Sequence, residues 1–181
     1  TDVFGPLGAI GIFIVAFAES SFFPIPPDVL LIPLSLAAPE LALLYALVAT
    51  VGSVLGAFLG YYIGQKGGRP VLVKIAKEER VQKVENYFKK YGTWAIGIAG
   101  FTPIPYKIFT IAAGVFNHDL KKVILVSIVS RAARFFMIGI IIMFWGDAII
   151  TFIDQYFAAF TIGVTGLFIL GYLGYKKFIK K

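Results

Sequence analysis

Apolar residues run along this chain in long uncharged blocks, and the polar residues gather in the gaps between them. Residues 41–64, 135–146 and 155–175 carry no charge at all. A helix needs about 20 mainly apolar residues to cross a bilayer. The pattern therefore predicts full-length transmembrane helices over 41–64 and 121–144, and a final one over 155–178. Four other apolar arms, 3–18, 29–36, 92–101 and 108–116, are shorter, although 3–23 taken whole is long enough to span. Turns fall at Ala38-Pro39-Glu40 and Asn117-His118-Asp119.

The short arms come in two pairs, and each pair is divided in the same way. FFPIPPDVL at 22–30 is matched by FTPIPYKIF at 101–109. Each reads Pro-Ile-Pro, one further residue, then a charge, which is Asp28 in the first and Lys107 in the second. The spacing is 79 residues whether taken between the prolines (103 − 24) or the charges (107 − 28). Proline lacks a backbone donor and clashes with the preceding turn, so Pro24, Pro26, Pro27, Pro103 and Pro105 are the expected loop-break residues. Broken backbone at membrane depth is tolerated only where protein or a water-filled cavity surrounds it. Matching breaks in two halves point to a transporter-type site. The reading is an all-α polytopic membrane protein, an inverted repeat of two re-entrant loops plus transmembrane helices. The single membrane domain, 1–181, divides into repeat 1 (1–64), a basic amphipathic linker (65–90), repeat 2 (91–146) and the final helix (155–178).

Composition agrees. Hydrophobic residues make up 59% of the 181 and charged ones 15%, against about 25% charged in a soluble domain, and mean hydropathy is +0.85. The net charge of +7 would suit nucleic acid if it were spread over a surface, but eight of the 17 basic residues lie in 65–90 and four in the last six positions. Positive charge at the ends of apolar segments sets orientation and meets anionic lipid, so nucleic acid is not an expected partner. Placing 65–90 in the cytoplasm puts Lys121, Lys122 and the lysine tail there too, and sends the loop bearing Asp147 and Asp154 outside. The two re-entrant loops then enter from opposite faces. The expected location is a prokaryotic plasma (inner) membrane. The 3–18 run lacks the basic start and cleavage site of a signal peptide, and with no cysteines there is no disulfide or thiol chemistry. Within the linker, Val71, Ile75, Val84 and Phe88 have helical spacing, and Glu79–Lys83 and Glu85–Lys89 are i,i+4 pairs. That predicts a helix lying on the membrane surface. Tyr87, Tyr91, Trp94, Trp145, Tyr172 and Tyr175 fit interfacial belts.

Gly52, Gly56, Gly60 and Gly64 recur every four residues and so share one face of helix 41–64. Another helix can approach closely there, from the same chain or from a second copy in a homo-oligomer. Five ionisable residues, Glu19, Asp28, Lys107, Arg131 and Arg134, fall at membrane depth. Arg131 is ten residues past Lys121, about 15 Å into the bilayer, and Arg134 follows one turn later. Each central charge costs about 2.5–3.5 kcal/mol on insertion scales, so the five must pair, line water, or both. A structural ion-pair network is one reading. In the other, Glu19 and Asp28 take up protons, since low dielectric favours the neutral acid, while Lys107, Arg131 and Arg134 hold an anionic or phosphate headgroup. His118, the lone histidine, suits a solvated or capping role beside Asp119. No metal-binding, nucleophile-elbow or P-loop motif is present. No enzyme activity, metal or cofactor is expected.

Phe17-Ala18-Glu19 followed by Pro24-Ile25-Pro26-Pro27-Asp28, and Gly100-Phe101-Thr102-Pro103-Ile104-Pro105-Tyr106-Lys107 followed by Ala112-Ala113-Gly114, resemble the DedA family. This is also called the SNARE-associated or VTT-domain family. The resemblance covers roughly residues 15–145 and looks nearest to a short divergent branch. It implies two opposed re-entrant loops and a role in translocating lipids or lipid carriers. Bacterial members are associated with recycling undecaprenyl phosphate and with physiology that depends on the proton-motive force, and eukaryotic relatives resemble phospholipid scramblases. The family's acidic pair maps onto Glu19 and Asp28, and the later member of its basic pair onto Lys107. The earlier would fall at Phe101, which is not basic, so Arg131 or Arg134 would have to stand in from the next helix. The leading reading is a flippase-like transporter of an anionic lipid or polyprenyl-phosphate carrier, linked to protons. The alternatives are an ion/proton antiporter in stress homeostasis and a non-transporting organiser of membrane proteins.

Overall fold

The computed structural model describes the backbone of residues 4–179 apart from Pro24 and Pro103, and the side chains of 7–152 apart from the same two prolines. The loop-break roles of Pro24 and Pro103, and the side chains of Tyr172, Tyr175 and the lysine tail, lie outside the described residues. Among those described, every regular element is helical: α1 (Phe4–Ser21), α2 (Asp28–Ala37), a 3-10 turn (Pro39–Leu41), α3 (Ala42–Ala76), α4 (Glu78–Tyr91), α5 (Trp94–Phe101), α6 (Tyr106–Val115) and α7 (Leu120–Ile179). Two helical stretches, Pro39–Ala76 and Leu120–Phe152, are long and apolar enough to cross a membrane. The chain forms two compact units, Thr1–Phe144 and Trp145–Lys181, and the first contains Glu19, Asp28, Lys107, Arg131 and Arg134.

Within the first unit, helix, break, short helix, turn and long helix occur twice, as α1-α2-α3 and as α5-α6 with the start of α7. The turn before α7 is capped by Asp119, whose Oδ1 accepts from the amides of Lys121 and Lys122 at 2.8 and 3.4 Å. This satisfies donors that a helix N-terminus leaves free. The loop expected to carry Asp147 and Asp154 between two separate helices is absent: 147–154 are helical and belong to α7. The stretch 145–154 holds no proline and one glycine, so its backbone has nothing to stop a helix.

The core forms where α3 meets its neighbours. Its buried positions, Tyr45, Ala46, Ala49, Ser53, Gly56, Ala57, Gly60, Tyr61 and Gly64, trace one face at helical spacing. Leu44, Leu47, Val51, Leu55 and Phe58 are exposed on the other, as an apolar solvent would allow. The glycine face is occupied within the chain. A Cβ on Gly52 would lie 2.7 Å from the Phe13 carbonyl, and one on Gly56 would strike that of Phe17, both in α1. One on Gly64 would strike the Ile111 carbonyl of α6, and reciprocally one on Gly114 of α6 would strike the Tyr61 carbonyl. Backbones this close leave the face no room for a second copy, which corrects the expectation of a homo-oligomer built on it.

The linker also differs from its expected form. It is not one surface helix. α3 continues to Ala76 through a kink at Gly68 (φ 61°), just before Pro70, and Lys77 (φ 59°, ψ 149°) separates it from α4. The apolar face of α4 packs on protein instead of lying on lipid. Val81, Val84 and Phe88 are buried. The Phe88 ring lies 6.0 Å from Phe109, 5.7 Å from Phe116 and 4.6 Å from His118, on which it stacks. α6 and its turn supply an aromatic surface that fits this stripe, and the competition goes to protein contact. The expected Glu–Lys pairs give way to Arg69, which bridges Glu78 at 2.6 Å and Glu85 at 2.5 Å. Arg69 is half exposed, so these pairs add little stability.

Two outcomes follow for stability. Gly64→Ala should destabilise by about 1–3 kcal/mol through overpacking. Gly11→Ala meets only a Leu30 methyl at 3.7 Å, and should be neutral or up to about 1 kcal/mol stabilising through helix propensity. Melting of the detergent-purified variants separates them. His118, outside the apolar spans, is partly buried against Phe88, and burial lowers its pKa from the ordinary 6.5. The unfolded state then binds the proton better, so the stability His118 contributes is present above about pH 6.5. It is lost as pH falls through the lowered folded value. The wild-type melting temperature should drop more between pH 7 and 5 than that of His118→Phe, which keeps the stacked ring.

Candidate functional site

The two breaks meet. α1 ends at Ser21 and α2 starts at Asp28 just after Pro27, while α5 ends at Phe101 and α6 starts at Tyr106 just after Pro105. Proline suits the start of a helix, where no amide partner is needed, so the motif's last proline launches each second helix. The helix ending before each break has carbonyls with no partner further along. Cations meet two carbonyls at the breaks. Lys107 Nζ donates to the Phe22 carbonyl at 3.1 Å, and Arg134 Nη1 to the Thr102 carbonyl at 3.2 Å.

All five charges found in the sequence line one cavity of about 440 Å³. Phe23, Pro26, Pro27, Thr102, Ile104 and Pro105 of the breaks complete much of its wall. Glu19 comes from α1, Asp28 from α2, Lys107 from α6, and Arg131 and Arg134 from α7. The acids pair with α7. Arg131 Nη2 lies 3.0 Å from Glu19 Oε2, and Arg134 Nη2 lies 2.5 Å from Asp28 Oδ2. Arg134 therefore holds Asp28 of one break and the Thr102 carbonyl of the other.

The two pairs differ in surroundings. The Arg131 side chain is 3% exposed. Its guanidinium sits 4.8 Å from the centre of the Tyr106 ring and 4.6 Å from that of Phe135, a geometry in which aromatic faces attract a cation. Arg131 Nε donates to Ser53 Oγ at 2.6 Å. Ser53 lies 2.7 Å from Ser20 Oγ, which donates to Glu19 Oε2 at 3.0 Å. A closed ring of Glu19, Ser20, Ser53 and Arg131 results, with each partner satisfied as a buried ion pair requires. The second pair is more open: the Arg134 and Asp28 side chains are 20% and 17% exposed. Asp28 Oδ1 is buried with no hydrogen-bond partner among the described residues.

Sequence reasoning missed three members. Arg80 of α4 also lines the cavity, although it counted only as part of a lipid-facing basic linker. A signal existed: Arg80, Val84 and Phe88 fall four apart, so a lone cation lies on an otherwise apolar stripe. Ser20 and Ser53 gave no signal, because a small hydroxyl among alanines and glycines reads as packing. His118 takes no part in the cavity, and Asp119 does the capping. Counted around the wall, four cations (Arg80, Lys107, Arg131, Arg134) face two carboxylates. Two of the cations are paired, and Lys107 and Arg80 have no carboxylate partner among the described residues. The arrangement can bind an anion and can exchange one for a carboxylate at an arginine. Among the described residues no group of three or more His, Asp or Glu is placed to hold a metal.

Residues 25–144 match the model of the VTT domain. An uncharacterised protein of Haemophilus influenzae is 35% identical over 136 residues, covering 74% of this chain and 71% of that protein. An uncharacterised protein of Methanocaldococcus jannaschii is 32% identical over 131 residues, covering 72% and 81%. A Staphylococcus aureus protein named undecaprenyl phosphate transporter A is 25% identical over 141 residues, covering 71% and 70%. No solved structure matches the chain.

The buried ring predicts a non-additive mutant cycle. Arg131→Met alone should destabilise by about 3 kcal/mol or more, because it strands the Glu19 charge. Adding Glu19→Gln should return much of that loss, read as a melting temperature of the double variant above that of Arg131→Met.

Proposed function

Because the chain belongs to the VTT-domain (DedA) family, we propose that it moves an anionic lipid phosphate, a polyprenyl-phosphate carrier, across the bilayer in exchange with protons. It is a transporter-like membrane protein. The observation that carries the finer reading is the excess of cations around one cavity between the two breaks. Guanidinium groups match phosphate geometry and make charge-assisted hydrogen bonds to it. The name of the Staphylococcus aureus relative supports the substrate class.

In this reading Glu19 and Asp28 are the proton-coupling groups, and Lys107, Arg131 and Arg134 hold the phosphate. With no substrate present, each acid neutralises an arginine. When an acid is protonated its arginine is released, and the guanidinium turns to a phosphate oxygen. When the phosphate leaves, the carboxylate ionises again and recaptures the arginine. Lys107 and Arg80 give the arriving phosphate its first attraction, since neither must leave a carboxylate to do so. The breaks are re-entrant loops that enter from opposite faces of a prokaryotic inner membrane. The basic segment 65–90 and the C-terminus lie in the cytoplasm, as the distribution of lysine and arginine favours.

The test is transbilayer movement of a labelled polyprenyl phosphate in proteoliposomes, with and without a pH gradient. The wild type should move it faster with the gradient. Glu19→Gln should lower the gradient-driven rate by about tenfold or more, the scale of one lost charged hydrogen bond. Movement that ignores both gradient and substitution would indicate a passive scramblase. Exchange of a small cation for protons in the same vesicles, with no lipid movement, would indicate the antiporter.

A further inference from the structure

A second cavity, of about 340 Å³, adjoins the charged one and shares four wall residues with it: Arg80, Ile104, Pro105 and Ile108. The rest of its wall is Lys83, Val84 and Tyr87 of α4 and Phe109 of α6. Apart from the two cations on its α4 side, this wall is apolar and aromatic. The second break thus divides two chemically different spaces. On one side lie the paired acids and arginines; on the other is a groove between α4 and α6 that suits hydrocarbon. Arg80 stands on the boundary, belongs to both, and has no ion-pair partner among the described residues.

Resting on the proposed lipid-phosphate substrate, we propose that the α4–α6 groove is the seat of the substrate's apolar chain, and that Arg80 holds the phosphate at the point where chain and headgroup join. A phosphate drawn into the cation cavity must leave its chain somewhere, and the groove lies next to that cavity, with Arg80, Ile104, Pro105 and Ile108 lining both. It offers the chain apolar surface whose burial is favourable in proportion to area. It offers the phosphate a guanidinium at its mouth. A free phosphate would use the cavity and leave the groove empty. An uncharged isoprenoid alcohol would lack the attraction that places it there. The site is therefore selective for one molecule that has both parts. It also gives α4 a role in recognition, for which its packing against α6 is the framework.

The chain has no cysteine, so an introduced one is a unique attachment point. A benzophenone maleimide on Lys83→Cys, in the groove, is compared with one on Val129→Cys, an exposed position of α7 away from both cavities. Each is irradiated in detergent with tritiated undecaprenyl phosphate. Capture at position 83 should exceed that at 129 several-fold. It should be competed by unlabelled undecaprenyl phosphate, and not by inorganic phosphate or undecaprenol at the same concentration. Arg80→Ala should weaken this competition by about tenfold or more without lowering the melting temperature, since Arg80 is exposed. Equal capture at both positions, or capture at 83 that undecaprenol competes as well, overturns the proposal. Competition at 83 by inorganic phosphate as strong as that by undecaprenyl phosphate shows that the chain adds nothing there and overturns it too. The assay measures binding alone. Selective capture without transport would leave the groove standing and remove the translocase, whereas transport without selective capture would remove the groove only.

Discussion

A helix that stops away from water leaves carbonyl groups with nothing to bond to, and each such group is expensive in an apolar surrounding. This chain stops two helices close together, one before each proline break. The Phe22 carbonyl takes the Lys107 ammonium, and the Thr102 carbonyl takes the Arg134 guanidinium. Each cation comes from the second half of the chain, and Arg134 then needs an anion, which Asp28 supplies from the first half. The breaks, the charges and the meeting of the halves are one solution to one problem. Asp28 is well placed at the start of α2, where the helix dipole favours a negative charge. Lys107 sits in the first turn of α6, where the dipole disfavours it, and the Phe22 carbonyl compensates. The opposite charges of the two motifs thus follow from their unequal roles: one break accepts a cation, the other provides it.

The outcome is a cavity lined by four cations and two carboxylates. In low dielectric an isolated charge is unaffordable and a paired one is conditional on its partner. Arg131 is fixed by a carboxylate, a serine hydroxyl and two aromatic rings, whereas Arg134 holds a more open carboxylate and a backbone carbonyl. The two arginines, one turn apart on the same helix, are therefore not equivalent: the first is more deeply buried and has more partners than the second. Sequence spacing makes them look like twins, and it is their neighbours on α1, α2 and α3 that make them differ.

Much of this was legible in the sequence. The paired Pro-Ile-Pro motifs located both breaks, because proline acts locally. The five charges expected at membrane depth pointed to shared surroundings, because their penalty there is too large to leave unpaired, and they line one cavity. The glycine period announced a close helix contact. What stayed hidden depended on partners distant in the chain. The stripe Val81, Val84 and Phe88 reads equally as lipid-facing or protein-facing, and only the aromatic surface of α6 decides. Arg80 was lost in a run of basic residues for the same reason. Ser53 reads as one more small residue beside Gly52 until Arg131 arrives from 78 positions away. The loop expected near 147–154 rested on a charge-bearing gap between apolar blocks; charge marks a surface, but only backbone chemistry ends a helix.

The contact between Gly64 and Ile111, with its reciprocal between Gly114 and Tyr61, has a mechanical meaning. Two helices whose backbones touch cannot slide past each other, since any shift drives a side chain into a carbonyl. They can still tilt about the point of touch. α6 is thus a lever with its fulcrum near Gly114, and Lys107 rides on the far arm, seven residues or about 10 Å away. A small tilt at the fulcrum becomes a larger displacement of the ammonium that bonds the Phe22 carbonyl of the first break.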